Sequence, residues 1–431
     1  MDLLEKINSR KAQVGILGMG YVGLPLAMEF AKAGFHVTGF DVNAERVGQL
    51  CDGISYIQDV PTEEVAKFVK NGQFRATTDF DLLSEIDTIN ICVPTPLRKT
   101  KDPDVSYIVQ AVDEIKKRLH KGQLILLEST TYPGTTDELM RPELESTGLK
   151  AGVDFYLGFS PERVDPGNPD FQTRNIPKVV GGVTAECNKH ACALYETSMD
   201  TVVPVGSPQS AEMVKLLENT FRSVNIGLVN ELALMCNRMN IDVWEVINAA
   251  ATKPFGFMPF YPGPGLGGHC IPVDPFYLSW KARATGFEAR FIELAGMINS
   301  SMPDYVATLV TESLNEQERS VKGSRVLALG VAYKSDIDDV RESPALDVIQ
   351  ILRKSGAEVV YHDPFVDSIK IDGDTLTSVP LNEDTLRSVQ CVVVTTGHTG
   401  TDYEWVLKNC SGLVDTRNVL PGTTDPKLIR L

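Results

Sequence analysis

The chain has 431 residues, 43% hydrophobic and 23% charged, with a formal net charge of −16. This composition is ordinary for a soluble globular protein of two or three domains, and the negative charge argues against nucleic acid or an anionic membrane as a partner. No apolar run reaches the length of a membrane span and the N-terminus lacks a signal-peptide core, so we expect a cytoplasmic protein with no membrane partner.

Six apolar runs in the first 200 residues alternate with helical patterns, and each has the character of a buried strand. They are QVGILG (13–18), HVTGFD (36–41), TINICVP (88–94), QLILLES (123–129), FYLGFSP (155–161) and KVVGGV (178–183). Continuous apolar strands separated by helices are typical of a parallel, doubly wound sheet. We therefore predict an α/β domain with this architecture over residues 1–206.

The pattern changes in the middle of the chain and then returns. From Ser210 to about Ala251, and again from about Pro275 to Gln317, apolar residues recur at helical spacing, which predicts a helical central domain over 207–317. Strand-like runs resume at 324–334, and Ser343 followed by Pro344 has the pattern of a helix start. The fold class is therefore α/β, with two Rossmann-like doubly wound domains, 1–206 and 318–431, joined by the helical domain.

A glycine-rich turn follows the first predicted strand and opens a helix. Gly18, Gly20 and Gly23 form G-x-G-x-x-G, in which the glycines allow a tight turn, close approach to a pyrophosphate and close packing of helix on strand. The second strand ends at Asp41, where a carboxylate can bind ribose hydroxyls and would repel a 2′-phosphate. The sequence therefore predicts an NAD site, and NAD is preferred to NADP.

Polar residues follow several of the other strands. Thr95, Thr130, Glu162 and Arg163 each come at or just after a predicted strand end, and ligands bind at the carboxyl ends of strands in open α/β sheets. For the two threonines, capping of a helix or turn is an equally good interpretation.

One cysteine differs from the other seven. Cys270 lies in YPGPGLGGHCIPVDPFY, where bare backbone can approach a ligand, so we interpret it as a candidate nucleophile. No cysteines have C-x2-C spacing, and we expect no metal site. Lys215, Asn219 and Arg222 share one face of a predicted helix, either as site residues or simply as solvated side chains.

Five segments in this order resemble the nucleotide-sugar 6-dehydrogenase family. They are GMGYVGLPLA, SPERVDPG, KLLENTFR, PGPGLGGHCIPVDP and GVAYKSDIDDVRESPA, and together they span nearly the whole chain. The resemblance implies an NAD domain, a helical dimerisation core and a UDP-binding domain. It also implies that NAD oxidises the C6 hydroxyl of a UDP-sugar twice, through a cysteine thiohemiacetal and a thioester.

The resemblance also implies roles for individual residues. Cys270 would be the nucleophile, Lys215 an oxyanion stabiliser, and Glu162 the base of thioester hydrolysis with Thr130 nearby. Asn219 and Asp274 would position substrate and water. The implied cofactor contacts are Gly18, Met19, Gly20, Tyr21, Val22, Gly23, Asp41, Arg46, Thr95, Thr130 and Arg341. The implied substrate contacts are Glu162, Arg163, Val164, Lys215, Asn219, Arg222, Gly265, Lys334 and Arg417.

Departures from the family pattern narrow the range of substrates that we expect. Glucose-specific members have a second glutamate four residues after the first, where this chain has Pro166, preceded by Asp165. This favours the acetamido sugars, and ATKPFGFMPFYPGPGLGGHC most resembles the UDP-N-acetylglucosamine subgroup. UDP-N-acetylmannosamine and then UDP-glucose are the alternatives. His269 has either a role beside the thiol or a structural one.

The C-terminal domain also departs from a cofactor-binding pattern. Its GVAYK segment lacks a full glycine fingerprint, so we do not expect a second NAD there despite Asp363. Two other functional classes compete with the leading interpretation: a two-electron hydroxyacid dehydrogenase, which would need no Cys270, and a non-catalytic nucleotide-sugar binder. The family implies a homodimer or a larger homo-oligomer.

Overall fold

A computed structural model describes residues 1–57, 59–96, 103–164, 170–268 and 271–431. The predictions for Asp165, Pro166, His269 and Cys270 lie outside these residues. The chain forms two compact units. The first comprises Met1–Glu218 and Trp280–Phe287, and the second comprises Asn219–Ser279 and Glu288–Leu431.

An eight-stranded sheet forms the centre of the first unit. Its strands are β1 (Gln13–Leu17), β2 (His36–Phe40), β3 (Phe74–Thr77), β4 (Thr88–Ile91), β5 (Leu124–Leu127), β6 (Tyr156–Phe159), β7 (Lys178–Gly182) and β8 (Val202–Val205). The spatial order is β3-β2-β1-β4-β5-β6-β7-β8, in which the first six positions follow the Rossmann order. All neighbours are parallel except β6 and β7, which pair antiparallel.

Helices cover both faces of this sheet. Those lying wholly in the first unit are α1 (Leu3–Asn8), α2 (Gly23–Lys32), α3 (Ala44–Cys51), α4 (Thr62–Lys70), α5 (Ser106–Lys116), α6 (Arg141–Glu145) and α7 (Ala185–Tyr195). On β5, Leu124 and Leu126 belong to one apolar cluster, whereas Ile125 and Leu127 belong to another. Alternate residues of a strand point to opposite faces, so these two clusters lie on opposite sides of the sheet and both faces are buried. Ligands must therefore bind at the ends of the strands.

A second, five-stranded parallel sheet forms the centre of the second unit. Its strands are β9 (Arg325–Leu329), β10 (Glu358–His362), β13 (Cys391–Val394), β14 (Leu413–Asp415) and β15 (Leu428–Arg430), in the order β10-β9-β13-β14-β15. A separate hairpin joins β11 (Ser368–Ile371) to β12 (Asp374–Thr377). The remaining helices are α8 (Pro208–Arg238), α9 (Val243–Ala251), α10 (Asp274–Ala284), α11 (Arg290–Asn315), α12 (Pro344–Lys354), α13 (Glu383–Ser388) and α14 (Tyr403–Asn409), of which α8 and α10 have residues in both units.

The predicted fold class is confirmed, and three details differ. The first sheet is not wholly parallel, because β7 and β8 run opposite to the other six strands. The helical stretch predicted from Pro275 to Gln317 is two helices, α10 and α11, since Gly286 leaves α-helical geometry with φ +78°. The third difference is that the short strands β3, β8 and β15 and the β11–β12 hairpin were not predicted.

The predicted start of α12 agrees with the structure. The hydroxyl oxygen of Ser343 accepts a hydrogen bond from the N–H of Ala345 and so caps this helix.

Candidate active site

The glycine turn between β1 and α2 has the geometry of a dinucleotide-binding loop. Gly18 has φ +91°, and a Cβ there would lie 2.5 Å from the carbonyl oxygen of Cys92. A Cβ at Gly23 would lie 1.9 Å from the carbonyl oxygen of Gly18, whereas one at Gly20 would meet no atom within 4 Å. Two of the glycines are therefore required by protein packing, and the third leaves open space at the start of α2, where a pyrophosphate can approach N–H groups.

Asp41 links this turn to the end of β2. Its Oδ2 accepts a hydrogen bond of 2.9 Å from the N–H of Met19, and its Oδ1 accepts one of 2.9 Å from the N–H of Asn43. The hydroxyl of Tyr56 donates to the carbonyl oxygen of Met19 at 2.6 Å, and the exposed guanidinium of Arg46 lies 5.5 Å from the Tyr56 ring centroid. The turn and the carboxylate are thus held together before any ligand binds, which fits NAD.

The equivalent aspartate of the second sheet has a different environment. The carboxylate of Asp363 accepts hydrogen bonds from the N–H groups of Val331, Ala332 and Phe365 and contacts Nε2 of His398 at 3.0 Å. Burial acts to raise the pKa of Asp363, but these bonds outweigh it and hold the pKa below its usual value. Asp363 is therefore fully engaged by the protein itself.

Replacing each of these two aspartates by asparagine should separate binding from stability. Asp41→Asn should weaken NAD binding by roughly 10- to 100-fold, the cost of losing charge-assisted hydrogen bonds to ribose. Asp363→Asn should leave NAD binding unchanged and lower the free energy of unfolding by about 1–3 kcal/mol, because buried N–H donors lose their carboxylate. Calorimetric titration with NAD and urea denaturation measure the two effects. Weaker NAD binding in Asp363→Asn would contradict this assignment.

The loops after β4 and β5 lie side by side at one edge of the first sheet. The hydroxyl of Ser129 donates to the carbonyl oxygen of Val93 at 2.7 Å, which ties the Thr95 loop to the Thr130 loop. Both threonines are half-buried, and Thr130 makes no side-chain hydrogen bond with a described residue, so it is not a cap. The buried carboxylate of Glu212 on α8 holds the rest of this loop through the N–H groups of Gly134 and Thr136.

Glu162 follows β6 at the same edge of the sheet. Its Oε1 accepts hydrogen bonds of 2.8 Å from the N–H groups of both Arg163 and Val164, and its Oε2 lies 3.3 Å from Nζ of Lys178. Burial acts to raise the pKa of Glu162, but the charge of Lys178, the two N–H groups and the charge of Lys215 on α8 outweigh it. The pKa of Glu162 therefore lies below its usual value, and this carboxylate is ionised at neutral pH.

The side chain of Arg163 already has protein partners. Its guanidinium forms a two-pronged ion pair with Glu218, at 2.6 and 3.3 Å, and donates to the carbonyl oxygen of Pro177 at 2.7 Å. The predicted substrate contact of Arg163 stays a prediction, as does that of Val164, whose N–H binds Glu162.

In the second unit, the glycine loop that leads to Cys270 packs on the C-terminal sheet domain. A Cβ at Gly267 would lie 2.7 Å from Cβ of Tyr333, and one at Gly263 would lie 2.7 Å from the guanidinium of Arg417. Gly268 has φ +83°, and its N–H donates to the carbonyl oxygen of Arg341 at 3.3 Å. The space left by these glycines is therefore filled by protein side chains.

A cavity of about 280 Å³ lies beside this loop. It is lined by Tyr333, Lys334, Ser335, Thr396, Gly397, Arg417 and Val419. Arg417 donates to the carbonyl oxygen of Thr395 at 2.9 Å and has no ion pair with a described residue. Burial lowers the pKa of Arg417 to about 10. A half-buried cation that has no carboxylate partner among the described residues, next to a lysine, is suited to bind an anionic ligand.

The structure also brings together Asn219 and Asp274. The amide of Asn219 on α8 donates to Oδ2 of Asp274 at 2.5 Å, and Asp274 is buried at the first position of α10. Arg222 lies one turn further along α8 and is exposed. Arg341 is exposed and pairs with Asp339 at 2.6 Å, and Gly265, at φ +139°, lies against Pro344. The ligand contacts of Arg222, Arg341 and Gly265 stay predictions.

Sequence reasoning missed the buried ionic residues beside Glu162. Lys178 begins β7 and Glu128 follows β5, and both lie inside runs that otherwise consist of buried strand residues. A charged residue within such a run is the signal that could have identified them. Among the described residues, no three His, Cys, Asp or Glu side chains form a group that could hold a metal ion. No helix in the described part of the chain has the length and hydropathy required to cross a bilayer.

Models of one protein family match three consecutive segments of the chain. Three models of the UDP-glucose/GDP-mannose dehydrogenase family match: the NAD binding domain at residues 12–199, the central domain at 209–301 and the UDP binding domain at 327–422.

Individual relatives are similar over most of their length. UDP-N-acetyl-D-glucosamine 6-dehydrogenase of Salmonella typhi is 35% identical, with 90% of each chain covered. The protein of that name from Pseudomonas aeruginosa is 38% identical, with 82% of this chain and 83% of that one covered. The structure of UDP-D-ManNAc dehydrogenase from Pyrococcus horikoshii superposes with a TM-score of 0.89 at 32% identity, covering 97% and 98%. The chain therefore belongs to the UDP-glucose/GDP-mannose dehydrogenase family and is an NAD-dependent oxidoreductase of the UDP-sugar 6-dehydrogenase type.

Proposed function

We propose that this enzyme oxidises the C6 hydroxyl of UDP-N-acetyl-D-glucosamine to the carboxylate, with reduction of two NAD. The observation that carries the proposal is the half-buried guanidinium of Arg417, which lines a cavity with Lys334 and lacks a carboxylate partner among the described residues. A diphosphate supplies the missing negative charge. The names of two relatives at 35% and 38% identity support the acetylglucosamine sugar.

Cys270 serves in this proposal as the nucleophile that retains the substrate between the two oxidations. Its sulfur adds to the C6 aldehyde to give a thiohemiacetal, and the second oxidation converts this into a thioester. When bound, NAD would supply the acceptor for the hydride that leaves C6 in each oxidation. The Gly18–Gly23 turn and Asp41 hold the pyrophosphate and ribose of that cofactor.

Four further side chains have roles in the proposed reaction. Lys215 stabilises the negative charge that develops on the C6 oxygen. A fixed ammonium group lowers the energy of the transition state most when it lies where that charge develops. Glu162 removes a proton from the water that hydrolyses the thioester, with Thr130 nearby. Asn219 and Asp274, which are hydrogen-bonded to each other, position the substrate and the water.

UDP-N-acetyl-D-mannosamine is the second candidate substrate. It is favoured by the superposition on UDP-D-ManNAc dehydrogenase of Pyrococcus horikoshii, which covers 97% of this chain. The two sugars differ only in configuration at C2. UDP-glucose ranks third. Pro166 argues against it, because glucose-specific members have their second glutamate at this position.

The amount of NADH formed tests this function directly. Because Cys270 would hold the aldehyde for a second oxidation, complete conversion should give two NADH for each UDP-sugar consumed. The measurement is NADH absorbance with limiting UDP-N-acetylglucosamine, UDP-N-acetylmannosamine or UDP-glucose, and the first of these should give the highest kcat/KM. One NADH per sugar, with a free aldehyde or ketone product, would indicate a two-electron dehydrogenase. Binding without NADH formation would indicate a nucleotide-sugar binder.

The remaining features of the proposal concern assembly and context. A homodimer is supported by exposed apolar side chains along α8, at Leu217, Phe221, Leu228 and Met235. We also propose domain boundaries at 206/207 and 317/318, a cytoplasmic location and a role in making precursors of surface polysaccharide.

A further inference from the structure

A buried ionic network lies behind Glu162. Nζ of Lys178 is 2.6 Å from Oε2 of Glu128 and 3.3 Å from Oε2 of Glu162. The side chains of Lys178 and Glu128 are 5% and 0% exposed, whereas that of Glu162 is 16% exposed. Glu162 is thus the member of this trio that a water molecule or substrate can reach.

The reversed direction of β7 produces this contact. Gly158 pairs with Gly182 and Phe159 pairs with Gly181, so the same antiparallel register continued by three residues sets Glu162 opposite Lys178. In a parallel β7, Lys178 would lie at the far edge of the sheet, because its first residue would be at the amino ends of the strands. The antiparallel pairing of β6 with β7 therefore carries a lysine to the edge where ligands bind.

Glu128 is held too firmly to be the reactive carboxylate. Its Oε1 accepts hydrogen bonds of 2.6 Å from both the hydroxyl of Tyr195 and the amide of Asn90. Its Oε2 accepts from Lys178, whose ammonium also lies 5.3 Å from the Tyr195 ring centroid. Glu128 therefore fixes the position of the ammonium group, and the second face of that ammonium points to Glu162.

Stability alone is a weak reason to bury such a network. Removing an ion pair from water costs about as much as its attraction returns, and apolar residues of similar volume often stabilise a protein equally well. The network instead places a fixed positive charge beside the carboxylate that the proposed reaction needs in its ionised form.

We propose that Lys178, anchored by Glu128, is a positioning residue that holds Glu162 in place and keeps it ionised, as its role in the proposed thioester hydrolysis requires. This inference rests on the proposed function. In the step concerned, the water oxygen bonds to the thioester carbon while Glu162 takes one water proton. The carbon–sulfur bond then breaks, its electron pair leaves on the sulfur of Cys270, and no redox change occurs.

Several ionisable groups besides Lys178 face Glu162 from the neighbouring elements. They are Glu128 after β5, Cys92 after β4, Lys215 on α8, and Arg163, which is paired with Glu218. Lys178 and Lys215 favour the ionised form of Glu162, whereas Glu128 opposes it. Removing the charge of Lys178 should therefore raise the pKa of Glu162, and hydrolysis should require a higher pH.

Two variants separate the charge of Lys178 from the integrity of the network. The double variant Lys178→Gln/Glu128→Gln removes both charges without leaving either one buried alone. The acid limb of its pH profile for acid release should move up by about one pH unit or more, as expected on loss of a neighbouring opposite charge. Intact-protein mass spectrometry should show thioester accumulating on Cys270, with the two NADH of the first turnover still formed.

The matched control is Glu128→Gln, which disturbs the same network but keeps the cation. Its acid limb should stay in place or move to lower pH, and Lys178→Arg should restore a profile close to that of the wild type. An unmoved acid limb in the folded double variant would overturn the proposal. If the double variant does not fold, an upward shift in Glu128→Gln would overturn it, and a downward or absent shift would support it.

The wild-type enzyme, measured in the same series, separates this inference from the function on which it rests. Two NADH per sugar together with an unmoved acid limb in the variants would reject the role of Lys178 alone. Fewer than two NADH per sugar from the wild type would reject the proposed function.

Discussion

Cys270→Ser should abolish release of the acid product while leaving NAD binding intact. Turnover should fall about 10³-fold or more, because a serine hydroxyl is far less ionised than a thiol and its ester is hydrolysed more slowly than a thioester. NADH formation at limiting UDP-sugar gives the rate, and intact-protein mass spectrometry detects any trapped ester as an increase in mass.

Cys51→Ser is the matched control for this experiment, since Cys51 is an exposed thiol of the first unit. It should have wild-type turnover. Unchanged turnover in Cys270→Ser would remove the cysteine from the mechanism, and loss of NAD binding in that variant would show that the change disturbs the fold instead.

Lys215→Met should have the second-largest effect. Loss of a preorganised group that stabilises an oxyanion lowers kcat by roughly 10²- to 10³-fold. Lys215 also helps to hold the pKa of Glu162 below its usual value, so its removal should raise that pKa and move the acid limb of the pH profile to higher pH. Steady-state kinetics over a range of pH measure both changes.

Lys189→Met provides the comparison, because Lys189 on α7 is an exposed lysine with only a 3.7 Å pairing to Glu186. It should leave kcat, KM and the acid limb unchanged. A rise in KM for Lys215→Met with unchanged kcat would make Lys215 a binding residue and exclude a role in stabilising the transition state.

The parts of the fold that were predictable are those specified by local patterns. Six strands of the first sheet lie in runs rich in apolar residues, and Gly18, Gly20 and Gly23 have the strand–turn–helix context that their spacing requires. Ser343 and Pro344 likewise mark the start of α12 by chemistry confined to two residues. Each of these features depends on neighbours in the chain.

The features that were not predicted depend on distant residues or on a single backbone angle. The partnership of Lys178 with Glu128 and Glu162 depends on which way β7 runs, and apolar content is the same for either direction. The break between α10 and α11 depends on the φ angle of Gly286, within a sequence that otherwise has helical spacing. The hairpin at Asp372-Gly373 did carry a local signal, a D-G turn between strand-like residues, which the strand assignment overlooked.

The packing of the glycine loop on Tyr333 and Arg417 has a consequence for the order of folding during synthesis. Residues 261–268 leave the ribosome well before these two partners are made, and domains generally fold as units beginning from the N-terminus. The NAD domain can therefore form early, whereas the loop acquires its final support only when the last sheet of the chain folds. A nascent chain could therefore bind NAD before residues 261–268 are fixed, so the loop that precedes the proposed nucleophile, Cys270, is the last part of the proposed site to gain its packing partners.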